Sequence, residues 1–119
     1  MQTEQQPQDT AHIQARFDEM YRQFFKSPAE HFYEADSETI LDNLEAEGRS
    51  NRDTVAKAQM LSELLYRDAL LKTDVTERCL LLEKALYLLE YIDGQTKTYS
   101  WEQGRKMSDI RKLLTQFKI

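Results

Sequence analysis

DVTERCLLLEKALYLLEYID, residues 74–93, is the stretch whose reading decides the fold. Its apolar residues, Val75, Cys79, Leu80, Leu81, Leu82, Ala85, Leu86, Leu88, Leu89 and Ile92, recur at helical spacing and spread over most of the circumference. They leave only a narrow polar strip through Glu83, Tyr87 and Glu90. A helix that is apolar on nearly every side must be surrounded by other elements, so this one is expected at the middle of a bundle. Enclosing one Leu or Phe fully contributes about 1.5 to 3 kcal/mol, which makes these positions the expected centre of stability. Asp74 followed three residues later by Glu77 marks the start in the manner of a capping box. Gly94 after Asp93 predicts a left-handed stop.

Upstream, residues 56–71 place Ala58, Leu61, Leu65 and Ala69 on one stripe with Val55, and Met60, Leu64 and Leu71 beside it. The polar stretch Arg49 to Asp53 leads into this long helix. A short helix starts at Asp36 or Ser37, turns Ile40, Leu41 and Leu44 inward and ends before Gly48. Between Pro28 and Ala35 the pattern is ambiguous: Phe32 and Tyr33 fit either a connector pinned by aromatics or one extra helical turn. A first helix begins near Asp9 or Thr10, carries Ile13, Phe17, Met20, Tyr21 and Phe24, and stops near Lys26 because Pro28 disfavours helical geometry before it. Residues 1–8, MQTEQQPQ, lack apolar periodicity and read as a disordered lead-in to a single helical domain over 9–119. Downstream, Ser100 with Gln103 predicts the opening of a last helix that buries Ile110, Leu113, Leu114 and Phe117. Gly104, one turn in, implies a close backbone approach or a later start.

The expected architecture is therefore all-α, with about five helices in a small antiparallel bundle. Few Gly and Pro leave little room for the tight turns of a sheet protein, and 119 residues suit one core. The single Cys79 cannot form an internal disulfide and sits among leucines, which points to a reducing compartment. The longest apolar run, Ala85 to Leu89, falls far short of the roughly 20 residues that span a bilayer. A cytoplasmic, untargeted chain with no membrane contact is expected.

Chemistry-bearing constellations are sparse. His12 and His31 are isolated from one another, and Glu30, His31 and Glu34 share a turn that reads more simply as solvated than as a metal site. Cys79 lies among leucines with no neighbouring His in the sequence, and reads as core. Gly94-Gln-Thr-Lys-Thr lacks the spaced glycines and Gly-Lys-Ser/Thr ending of a phosphate loop. No cofactor and no catalytic activity are expected.

The charge pattern says more. The protein is acidic, with a formal net charge of −5. Glu30, Glu34, Asp36, Glu38, Asp42, Glu45 and Glu47 fall together without a Lys or Arg among them, whereas Lys97, Arg105, Lys106, Arg111, Lys112 and Lys118 gather at the C-terminal end. Tyr87, Tyr91, Tyr99 and Trp101 bracket one loop. They form either an exposed cluster of the kind enriched at interfaces or a plug for the end of the bundle.

Helices over Ala56 to Asp93 resemble a single tetratricopeptide unit, through Leu65, Tyr66 and Ala69 in the first and Leu82, Ala85 and Leu86 in the second. The chain departs from the family in having Tyr66 for its glycine and Glu90 for its closing proline, and shows no second copy at the period of about 34 residues. The resemblance covers about a third of the chain and implies a groove for a peptide or partner helix. The sequence thus favours a protein-protein interaction module or accessory subunit. Its expected partner surface comprises Tyr87, Tyr91, Tyr99, Trp101, Arg105, Lys106, Arg111 and Lys112, and its partner is another protein or a second copy in a homodimer. The alternative is a nucleic-acid-associated regulator that uses the basic last helix.

Overall fold

In a computed structural model that describes residues 7–96 and 101–117, the described residues are all-α and form six helices. In order they are α1 (Pro7–Phe25), α2 (Ala29–Glu34), α3 (Ser37–Glu47), α4 (Asn51–Leu71), α5 (Val75–Gln95) and α6 (Trp101–Phe117). They fall into two compact units, Met1–Glu34 and Ala35–Ile119.

In the first unit, α1 opens at Pro7, where a missing N–H costs nothing because that donor has no intrahelical partner. The helix thus starts two residues before the expected Asp9. Residues 1–6 lie outside the described residues, as do the side chains of Asp9 and Thr10. The helix closes with Lys26 at φ 56°, its N–H donating to the Arg22 carbonyl at 3.0 Å, a left-handed terminus made without glycine. Pro28 follows, and α2 settles the ambiguous segment as a short extra helix. Its Phe32 stacks on the buried Tyr21 at 5.2 Å and meets Phe25 edge-on at 5.9 Å. Phe25 is the buried residue at the end of α1, and Phe24, expected inside, is exposed. One position of helical phase, 100°, separates the two outcomes.

The second unit is organised on α5. α4 packs chiefly against α5, α6 also packs against it, and α3 touches both α4 and α5. Asn51, at the start of α4, donates from its side chain to Gln95 at the end of α5 at 3.0 Å, so these two helices run antiparallel. At the other end Arg78 donates from Nε and Nη2 to the Lys72 carbonyl at 3.1 and 2.6 Å, which satisfies a carbonyl the end of α4 leaves open. The core consists of Ala58, Leu61, Leu64, Leu65 and Ala69 from α4, Cys79, Leu81, Leu82, Ala85, Leu88, Leu89 and Ile92 from α5, Ile40 and Leu44 from α3, and Met107 and Ile110 from α6.

Three carboxylate or hydroxyl caps start the helices. Asp36 accepts from the Thr39 N–H at 2.8 Å, Ser50 from Asp53 at 3.1 Å and Asp74 from Glu77 at 2.9 Å. The Ser50 cap was not read from the sequence, although Ser-x-x-Asp is a legible signal. The Ser100 start for the last helix lies outside the described residues, as does the side chain of Phe117; the described part of α6 begins at Trp101.

Several expected positions differ. Val75 and Leu80 on α5 and Met60 on α4 are exposed, while Val55, Leu71, Leu86, Leu113 and Leu114 are half-buried. The most widely apolar helix is thus the central one, yet it is not enclosed all round. Gly94 is no left-handed stop: α5 runs through it to Gln95, and no glycine among the described residues has positive φ. Gly48 does close α3, but at φ −72° and ψ 138°, so conformational freedom is not why glycine stands there. A Cβ at that position would collide with Thr54 Oγ1 and sit 3.2 Å from the Leu44 carbonyl oxygen.

Candidate interaction surface

α6 owes its placement to a two-sided pattern. Met107 and Ile110 are buried and Leu113 and Leu114 half-buried, all on one side. Trp101, Arg105, Ser108 and Lys112, spaced four, three and four residues apart, stand exposed on the opposite side within about 60° of arc. Trp101 is 63% exposed, the most open of the large apolar side chains described. The Arg105 guanidinium lies over its ring at 5.3 Å from the centroid, a cation–π contact.

The other cations of α6 do different work. Lys106 pairs with Glu63 on α4, which also receives Arg67 one turn along, and Arg111 pairs with Glu90 on α5 at 3.1 Å. These two pairs lie to the sides of the helix and tie α6 to both members of the α4–α5 hairpin. Burial holds the Lys106 ammonium below its ordinary pKa. The basic helix is thus partly neutralised, and by α4 and α5 rather than by the acidic segment of α3. That leaves Arg105 and Lys112 as cations of α6 without an ion pair among the described residues.

Between α4 and α6 runs a cleft of about 200 Å³, lined by Gln59, Ser62, Glu102, Gln103 and Lys106 with Leu89 of α5 as its floor. Its walls offer amide, hydroxyl and carboxylate groups, which suit backbone-like hydrogen bonding. Ser62 turns its hydroxyl back to the Gln59 carbonyl at 2.9 Å.

The expected surface residues do not all meet. Tyr87 and Tyr91 are half-buried on α5, and Tyr91 lies near Glu45 of α3, where burial and that carboxylate both raise its pKa. Trp101 makes no ring contact with either tyrosine among the described residues. Tyr99, Lys97 and Lys118 lie outside the described residues. Of the eight named positions, the structure brings Trp101, Arg105 and Lys112 onto one exposed stripe and directs Lys106 and Arg111 into ion pairs within the unit.

Two buried charges escaped sequence reading. Lys84 of α5 is only 7% exposed, and burial lowers its pKa against the opposing pull of Asp36 at the start of α3. Asp68 of α4 is fully buried with Lys72 at 3.6 Å, one turn along. The i, i+4 spacing of the latter pair is visible in the sequence; the burial is not. Elsewhere, Cys79 is a buried free thiol, and His31 lies edge-on to Phe32 at 5.0 Å with Glu30 and Glu34 exposed beside it. Among the described residues no three His, Cys, Asp or Glu side chains converge as a metal cage, and no helix is long and apolar enough to cross a membrane. Comparison with known proteins leaves these geometric features to stand alone: no family model matches the chain, and no match was found among curated proteins or solved structures.

Proposed function

We propose that this chain is a helical protein-protein interaction module, a small accessory or scaffold subunit that acts in the cytoplasm without a catalytic step of its own. The α4–α5 hairpin, in the manner of a single tetratricopeptide unit, is the scaffold, and α6 is the recognition element. The observation that carries this reading is the exposed Trp101 with Arg105 held against its ring. Trp and Arg are the residues in which interface binding energy concentrates, and a pre-ordered pair loses less conformational entropy on docking. Lys106 and Arg111 support the reading from the other side, since they fasten the helix instead of being offered to phosphate.

The test is capture from cytosolic extract, with and without nuclease treatment, by the full chain, compared with a variant carrying Trp101→Ala and Arg105→Glu. The variant should keep its circular dichroism spectrum and thermal midpoint, because both positions are exposed. A protein retained by the wild type should be depleted about tenfold or more on the variant, the size expected for losing one interfacial anchor. Equal retention by both would remove α6 as the surface. Retention abolished by nuclease and by moderate salt would transfer the reading to nucleic acid.

A further inference from the structure

The acidic helix α3 has a face built like the outer stripe of α6, with the opposite charge. Ile40 and Leu44 of α3 are buried, and Glu38, Asp42 and Glu45 stand exposed opposite them, spaced four and three residues apart. None of the three carboxylates takes part in an ion pair among the described residues. On α6 the exposed set Arg105, Ser108 and Lys112 is spaced three and four. Read antiparallel, the two spacings coincide. Glu45 falls opposite Arg105, Asp42 opposite the Ser108 hydroxyl, and Glu38 opposite Lys112, with the outer pairs about 10.5 Å apart on each helix at 1.5 Å per residue.

Among the described residues no ion pair joins the two stripes within one molecule. Both helices are held by α5, but from different sides. Lys84, which acts on Asp36 of α3, and Glu90, which pairs with Arg111 of α6, project about 120° apart around α5. Each stripe is exposed to solvent.

We infer that the outer stripe of α6 docks antiparallel on the acidic face of α3 of a second copy of this chain. The contact is charge-driven, so it forms most readily where screening is weak, and the Ser108–Asp42 hydrogen bond together with the two flanking pairs fixes the register. Because donor and acceptor faces lie on different helices, each copy offers one of each. Assembly then closes as two reciprocal contacts about a twofold axis or continues head to tail. This inference rests on α6 being an interaction surface and names one occupant for it.

Size-exclusion chromatography with light scattering on the full chain tests it, at ionic strengths of about 0.01 M and 0.15 M, where the Debye length falls from about 30 to about 8 Å. The wild type should show twice the monomer mass or more at low ionic strength, and less at the higher one. A variant with Glu38→Lys and Glu45→Lys should be monomeric, as should one with Arg105→Glu and Lys112→Glu. The chain carrying all four substitutions restores both charge pairs with reversed sign and should assemble again. That restoration also shows that loss in the paired variants was not misfolding. A wild type that stays monomeric at low ionic strength, an assembly indifferent to either reversal, or a fourfold variant that stays monomeric would each overturn the inference. Any of these results leaves the capture of a different protein through Trp101 and Arg105 intact, so the two readings fail separately.

Discussion

Leu82→Ala should cost the protein about 3 to 4 kcal/mol of unfolding free energy, whereas Leu80→Ala, two residues away on the same helix, should change it by less than about 0.5 kcal/mol. Leu82 is 0% exposed, while Leu80 is 47% exposed. Truncating Leu82 removes the transfer free energy of its side chain and leaves a cavity that the surrounding core can fill only in part. Truncating Leu80 does neither. Small domains are stable by about 5 to 15 kcal/mol in total, so the first loss is a large fraction of the whole. Urea denaturation followed by circular dichroism measures both variants with one slope. Comparable losses at the two positions would mean that the phase of α5 about its own axis is wrong.

Gly48→Ala is expected to lower stability by about 1 to 3 kcal/mol, for a reason unrelated to glycine's flexibility. The backbone there has ordinary extended angles that alanine adopts freely. What alanine lacks is space: its methyl group would press on Thr54 Oγ1, which donates to the Ser50 carbonyl at 3.1 Å and is therefore held in place. Thr54→Ala removes the obstructing oxygen and by itself loses that hydrogen bond, worth about 1 kcal/mol. The double variant should be more stable than the two single losses predict, by about 1 kcal/mol or more. Strict additivity in thermal or urea unfolding would show that the α3–α4 junction is not packed as described.

Helix identity was legible because it depends on periodicity, which any window of sequence displays. α5 was recognised as central from its breadth of leucines, and its start from Asp74. The short α2 stood as one of two readings because six residues carry too little period to separate a turn of helix from a loop. Burial was less legible. Leu80 and Lys84 lie four residues apart, the apolar one exposed and the charged one buried, since burial depends on which flanking helix covers each side. Gly48 and Gly94 both read as helix stops; Gly48 closes α3, whereas α5 runs through Gly94 to Gln95. A glycine announces freedom of φ in the sequence, whereas at Gly48 the deciding quantity is the distance to a threonine six residues on.

The candidate surface was legible in part for a similar reason. Arg105, Lys106, Arg111 and Lys112 form one basic run in the sequence, and composition alone counts them equally. Only the wheel of α6, fixed by the burial of Met107 and Ile110, divides them into two that hold the helix down and two that face outward. The carboxylates that receive the first two, Glu63 and Glu90, lie on other helices and carry no local signature.

Because α5 shares its main contacts with the helices immediately before and after it in the chain, the second unit closes mostly short loops as it organises. The meetings of α3 with α5 and of α4 with α6 each span an intervening helix. Little chain entropy is spent before packing begins to repay it, and topologies of this kind reach the native state within about microseconds to milliseconds. Sparing use of long-range pairing also limits the time during which Leu82 and its neighbours stand open to other chains during synthesis.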